Sequence, residues 1–402
     1  MKSRIILLFV LLFVATIQAQ DLVNFSGQIR TRLILDGRDF NSSTGMNSFS
    51  EMRSRFGVKF SPRKNLSAFF QVQDSRVFGS EPATISNTAN LDLHQAYFLV
   101  DNLFDLPLSL KLGRMEASYG TQRIMSKNNW NNIGRSFDGL TFSWQINNDK
   151  SKIDLFAFKL AETSKLDDLN DETLIGAFAD LKFISNHDFQ PFVLYRTSAA
   201  ASYPFNAFAI GTYLDGTIEN YFHTAEFVYQ LGDEIENGPK SLNAFFVGYN
   251  LGFNFNHNLK PQLSAGIEYY SGDDNLTDNT YKEGNRWFGA GHKYYGYMDF
   301  FPSNTNGLGL ADIHLKTNFS PLQKMKLQAA FHIFNSSADY TLINGSTSRN
   351  FGNEFDLVLN YKYDENVDFQ IGSGLFFPGE IFKETKGNDT ATWFYFMGIV
   401  NL

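Results

Sequence analysis

The chain has 402 residues, rich in aromatics and glycine with 42 Phe, 18 Tyr and 31 Gly, against 10 Pro and no Cys. The missing cysteine excludes a disulfide framework and a lipidated N-terminus, and no apolar run beyond the first 20 residues is long enough to cross a membrane as a helix. Without Lys2 and Arg4, 34 basic residues become 32 against 42 acidic, a net charge of −10 that argues against a nucleic-acid partner.

Lys2 and Arg4 precede an apolar core from Ile5 to Val14 and a small-residue stretch from Ala15 to Ala19. That order predicts a cleaved secretory signal peptide over residues 1–19, with a single exported domain over 20–402. The next stretch, Val23 to Phe60, reads as a hairpin. In its first arm Gln28, Arg30 and Arg32 alternate with Ile29, Leu33 and Leu35; in its second, Glu51, Arg53, Arg55 and Lys59 alternate with Met52, Phe56, Val58 and Phe60. A soluble sandwich would turn the apolar face inward, whereas a membrane barrel would turn it to lipid and put the arginines in a watery lumen.

Onward from this hairpin, alternating segments of strand length are separated by two kinds of connection. Tight polar turns fall at 62–65, 102–107, 147–150, 185–188, 257–260, 320–324 and 364–366. Longer polar connections fall at 37–48, 78–90, 117–135, 163–171, 233–240, 273–307, 337–350 and 379–389. Short and long take turns, as in outer-membrane barrels with short periplasmic turns and longer outer loops. The expected fold is all-β: an antiparallel up-and-down transmembrane barrel of about 18 strands, wide enough for an aqueous channel, with both termini on the periplasmic side. Later strands keep the alternation: Asp312, His314 and Lys316 oppose Ile313 and Leu315, and Glu354 and Asp356 oppose Phe355 and Leu357. The apolar final segment, ending in Leu402 where barrels commonly finish on an aromatic, reads as the closing strand.

Particular words then stand out: Gln73 to Gly79, Leu93-His94-Gln95-Ala96-Tyr97, Leu110 to Arg114, Tyr119-Gly120-Thr121-Gln122-Arg123, Gly134 to Leu140, His292 to Asp299 and Gly352 to Asp356. Together they resemble the alginate-export family of outer-membrane barrels over most of the exported chain. Phe78 stands where that family often has tryptophan, and Thr121 where it often has an acidic residue. The resemblance implies an eighteen-stranded barrel whose arginine-rich lumen passes an anionic polysaccharide by diffusion.

Arg30, Arg32, Arg53 and Arg55 share one parity on neighbouring strands and form the expected positive patch, suited to carboxylates by the planar guanidinium fork. The alternative is that they pair with Glu51, Asp74 and Asp138 and stiffen the wall. Arg76, Arg114 and Arg135 are expected to extend the track toward the outer mouth, with Lys316 as a further lumen cation, while Arg123 reads as a salt-bridge tie between loops. Aromatics between Asp273 and Gly307 read as an interface girdle or as a grip on sugar rings. The spacing of Asp273, Asp274 and Asp278 matches no full EF-hand loop, and no zinc word or serine elbow occurs, so no metal, cofactor or enzymatic activity is expected. The expected partners are outer-membrane lipid, an anionic polysaccharide or oligosaccharide, and periplasmic export partners. The expected function is an outer-membrane channel of a Gram-negative-type envelope; alternatives are a general anion or small-solute porin and a non-transporting surface barrel.

Overall fold

The computed structural model describes residues 22–402 except 82–83, 85–89, 147–149, 163–170, 200–203, 234–237 and 302–303. The predicted signal peptide and most of the predicted 163–171 loop lie outside the described residues. The chain runs through β1 (Val23–Gly37), β2 (Asn47–Arg63), β3 (Leu66–Val77), β4 (Leu91–Val100), β5 (Leu108–Met115), β6 (Phe137–Ile146), β7 (Ser151–Ala161), β8 (Glu172–Asp180) and β9 (His187–Ser198). It continues through β10 (Phe205–Ile218), β11 (Tyr221–Asp233), β12 (Ser241–Asn254), β13 (Gln262–Tyr270), β14 (Thr280–Tyr281), β15 (Leu310–Phe319), β16 (Met325–Thr341), β17 (Thr347–Lys362), β18 (Val367–Pro378), a helical turn α1 (Glu380–Thr385), and β19 (Ala391–Asn401). The two-residue β14 lies in a loop and pairs parallel with β12. The other 18 of these 19 strands form one closed antiparallel barrel.

Closure is made by the first and last strands. Gln28 to Gly37 pair with Asn401 to Thr392, and Gly27 and Leu402 exchange backbone hydrogen bonds of 2.9 and 2.8 Å. With no free edge, every one of the 18 barrel strands has two partners, which is the condition for crossing a layer that offers no hydrogen bonds.

Side chains sort by parity as the hairpin pattern predicts. Ile29, Leu33, Phe56, Phe70, Ile210 and Ile313 are exposed on the outer wall, whereas Arg30, Arg32, Arg53 and Arg55 are buried on the inner one. An apolar exterior around a polar interior is stable only with lipid outside. Where large rings point inward they lie over glycines on the neighbouring strand. Gly372 stands directly opposite Tyr395, and a Cβ there would sit 2.0 Å from the Tyr395 ring.

Three connections differ from expectation. Two joints were not foreseen: a two-residue turn at 219–220, which lacks glycine and proline because Glu219 itself takes φ 53°, and the joint between β9 and β10. The expected loop at 337–350 is largely strand, since Tyr340 and Thr341 pair with Ser348 and Thr347 beyond a bulge. Its small polar residues read as loop but are held by Leu308 O, which accepts from the backbone of Ser337 and Ala338 at 2.8 and 2.9 Å.

Candidate functional site

Two long loops fold back into the lumen and meet there. The segment 116–136, between β5 and β6, crosses toward the segment 271–309, between β13 and β15. They are stitched edge to edge: Ser126 N donates to Phe288 O at 3.0 Å, Phe288 N to Ile124 O at 3.0 Å, and Ala290 N to Gln122 O at 2.9 Å.

The four arginines of the opening hairpin hold this first loop. Arg30 donates to Asn129 O at 2.6 Å and Asn131 O at 3.1 Å, and Arg53 reaches the same two carbonyls at 3.3 Å each. Arg32 pairs with Glu51 and donates to Trp130 O at 3.1 Å. Arg55 binds Glu116 at 2.9 Å and Ile133 O at 3.0 Å. These residues are 2–8% exposed. The carbonyls that Arg30 and Arg53 hold are neutral, and the remaining acceptors are neutral too, Asn132 Oδ1 for Arg30 and Gln28 Oε1 for Arg53, so among the described residues neither guanidinium is paired with a carboxylate.

Glu116, at the root of the loop, also receives His94 Nε2 at 3.0 Å and Lys127 at 3.3 Å. Burial alone would raise its pKa, but the His94 hydrogen bond with the Lys127 and Arg55 charges brings it down to about 2.

The far side of the loop is anchored by the Tyr-Gly-Thr-Gln-Arg word. Arg123 pairs with Glu226 on β11 at 2.8 Å and with Glu268 on β13, and lies 3.8 Å over the Tyr294 ring. Thr121 donates its hydroxyl to Glu226 at 2.7 Å. Burial opposes the Arg123 charge, yet Glu268 and Glu226 raise its pKa well above the ordinary value. The expected tie between loops is thus a tie from loop to barrel wall.

At the meeting point Trp130 stacks on His292, centroids 3.7 Å apart and planes 5° from parallel. Arg32 covers the indole at 4.1 Å, and Tyr297 continues the stack behind His292 at 4.9 Å. His292 Nδ1 faces Asp299 Oδ2 at 3.0 Å, an N–H donated to a carboxylate.

Three cavities lie in series around this stack. An outer one of about 480 Å³ is lined by Arg32, Arg38, Arg135, Arg286, Trp130 and Trp393, among others. A middle one of about 290 Å³ shares Asn128, Trp130 and His292 with it and adds Lys293. A third of about 450 Å³, toward the turn side, shares Gln370 with the middle one and is lined by Lys324, Lys326 and Lys362. Cations along this series outnumber the carboxylates Glu51, Asp299 and Asp368.

Several expected site residues stand elsewhere. Arg76 is opposite Met52 while Arg53 is opposite Ser75, so Arg76 has the outer-wall parity of Phe70 and Val72 and pairs there with Asp74 and Glu81. Arg114 shares the parity of exposed Leu112 and pairs with Asp138 at 2.8 Å on the same outer face. Neither extends a lumen track, and Asp74 and Asp138 do not face the hairpin arginines. Arg135 does line the outer cavity. Lys316 has the inward parity of Asp312 and His314. The aromatics of 271–309 form no girdle: Tyr281, Tyr295 and Phe301 are buried inside, with Tyr294, Tyr297 and Phe300 packed against them. Lys282 sits among the three loop aspartates, 3.2 Å from Asp274 and 3.7 Å from Asp278.

Sequence reasoning missed Trp130, Glu116, Arg286, Glu226 and Glu268. For the two glutamates the signal was present, since both have inward parity on strands whose neighbours Phe227 and Ile267 are exposed.

A closed 18-strand barrel with an apolar exterior and a polar, charged lumen narrowed by two inward loops defines an outer-membrane porin. The chain belongs to the alginate export family, whose profile matches residues 21–396. No curated protein matches its sequence. Among solved structures it is similar in fold to Acinetobacter baumannii OccAB4, with 10% identity, TM-score 0.61, and coverage of 95% of this chain and 98% of that one. Pseudomonas aeruginosa OpdK, determined with vanillate, gives 10% identity and TM-score 0.60 over 94% and 98%. A BenF-like porin from Pseudomonas fluorescens gives 8% and 0.60 over 94% and 98%. At such identities the likeness establishes the fold alone.

Proposed function

We propose that this barrel is a passive channel for anionic saccharides of the alginate type, which cross the outer membrane along the basic side of the lumen. The observation that carries this reading is the serial arrangement of cations: Lys324, Lys326 and Lys362 at the turn side, Lys293 in the middle, and Arg32, Arg38, Arg135 and Arg286 at the outer side. A spaced run of weak sites lets a carboxylate-bearing chain move by exchange instead of lodging at one tight site. Arg30 and Arg53 add positive potential from behind the loop they hold. In a planar bilayer the folded protein is expected to give stepwise conductance with anion preference, and oligouronates are expected to block the current where neutral oligosaccharides do not.

A second reading is a porin for small carboxylates without polymer preference. The loop clamped across the lumen favours it, because the Trp130–His292 stack stands between the outer and middle cavities. Equal block by monomeric and oligomeric uronates at equal carboxylate concentration supports this second reading.

A further inference from the structure

Asp312 and His314 lie two residues apart on β15, and His332 stands opposite His314 on β16. All three have inward parity, since Ile313, Phe331 and Ile333 beside them are exposed on the outer wall, and they are themselves 0–4% exposed. Both rings turn the same nitrogen to one carboxylate. His332 Nδ1 lies 2.8 Å from Asp312 Oδ2, and His314 Nδ1 lies 3.3 Å from the same oxygen. The three donor atoms all fall within 4.8 Å of one another.

An imidazole N–H donated to a carboxylate explains either contact singly, but two rings converging through Nδ1 on one oxygen is also the arrangement of a ligand set. The ligands of a tetrahedral ion bound at roughly 2.0–2.2 Å stand about 3.3 Å apart, and the two separations from Asp312 Oδ2 are of that size. Two imidazoles with one carboxylate suit a first-row divalent ion such as zinc, whereas calcium and magnesium take oxygen ligands. The rings are fixed from outside the cluster. His332 stacks on Phe334, centroids 5.2 Å apart and planes 11° from parallel, and His314 Nε2 lies against Gly266 on β13, where a Cβ would come within 2.5 Å. Ligands held in place beforehand lose little freedom when an ion binds.

The charge of the surrounding wall points the same way. Glu354 on β17 stands opposite His332; it is 0% exposed and Asp356 is 1% exposed. Among the described residues no donor reaches Glu354 Oε2 or Asp356 Oδ1. Three buried carboxylates therefore share this stretch of wall, and Lys316 is the cation that β15 adds on the same face. A divalent ion offsets the surplus of negative charge.

We propose that Asp312, His314 and His332 form a zinc-type metal site in the inner wall of the barrel, with three protein ligands and a fourth position for water. Each ring then carries its proton on Nε2 and gives its Nδ1 lone pair to the ion. The bound ion links β15 to β16 beside the point where the 271–309 segment rejoins the wall at Leu310. No zinc word marks the site in the sequence, because its ligands follow strand geometry, two residues apart on one strand with a partner across the ladder, instead of helical spacing. Metal retention is read in detergent and ion preference in a bilayer, so the metal site and the channel reading can fail separately.

Untagged protein refolded in detergent with excess Zn2+ and dialysed against metal-free buffer is expected to keep about one ion per chain by atomic absorption. EDTA is expected to remove it and to lower the temperature at which the folded form loses its distinct electrophoretic mobility. Co2+ in place of zinc is expected to give the intense visible absorption of a four-coordinate site. His332→Gln is expected to weaken retention by more than the roughly 10–100-fold that loss of an outer-sphere partner costs, and His314→Gln serves as a second variant should the first not refold. His187 and His223, whose Nε2 atoms lie 3.1 Å apart at the turn-side ends of β9 and β11, are the competing pair; replacing both by Gln is expected to leave retention unchanged. Wild-type protein that keeps no zinc, retention that survives in refolded His332→Gln or His314→Gln, or retention that disappears with His187 and His223 overturns the site.

Discussion

Trp130 and His292 stack across the lumen from two different loops, 3.7 Å between ring centroids, and both belong to the walls of the outer and middle cavities. A face-to-face pair held by Arg32 on one side and Tyr297 on the other is a septum built from side chains. Its removal should widen the path without disturbing the barrel. Trp130→Ala is expected to raise single-channel conductance by about twofold or more, since the narrowest segment dominates resistance. Single-channel recording at fixed salt checks this, and unchanged conductance would place the narrow point elsewhere.

Arg123 pairs with two buried glutamates at once. Arg123→Ala leaves Glu226 and Glu268 facing each other unpaired, a cost on the order of 3–5 kcal/mol. Release of the loop is the expected response, seen as faster hydrogen exchange across 116–136 with the strands still protected. Adding Glu226→Gln should restore part of the protection, because it removes one of the stranded charges.

Acid should loosen the other end of the same loop. Glu116 titrates near 2 in the folded protein against an ordinary 4.5. A carboxylate with a lowered folded pKa stabilises above its unfolded pKa and loses that contribution as pH falls through the folded one. The stabilisation, about 3 kcal/mol at full strength, is therefore complete above pH 4.5 and fades between about 4.5 and 2. Hydrogen exchange or loop-specific proteolysis across that range should show release of 116–136, and Glu116→Gln should show it already at neutral pH.

The strands were legible because the two-residue period is local: Ile29 against Arg30 or Ile313 against Asp312 needs no knowledge of the rest of the chain. The same rule would have placed Arg76 and Arg114 outside, since they follow the parity of Val72 and Leu112; position near a strand end was the wrong guide. The lumen contacts were not legible. Arg30 lies 99 residues from the Asn129 carbonyl it binds, and a carbonyl is present at every residue, so no side-chain pattern marks which backbone a guanidinium will hold. The 271–309 aromatics misled for a related reason, because girdle and lumen plug share a composition and differ only in which way the loop folds.

Barrel assembly offers a test of the inner wall. A Cβ on Gly372 would meet the Tyr395 ring at 2.0 Å, with the ring wedged against its neighbours. Gly372→Ala is expected to destabilise by about 1–3 kcal/mol through overpacking, lowering the temperature at which the folded form loses its distinct electrophoretic mobility. Pairing it with Tyr395→Ala should relieve the clash and give a smaller loss than the sum of the two single changes.

The proposed anion path along the lumen is tested most directly by the reversal potential across a planar bilayer under a salt gradient. Wild-type protein is expected to prefer anions, with the preference reduced when Arg30 and Arg53, whose donors rest on carbonyls, are both replaced by Gln. A cation-selective wild type, or a potential that the double replacement leaves unmoved, would contradict it.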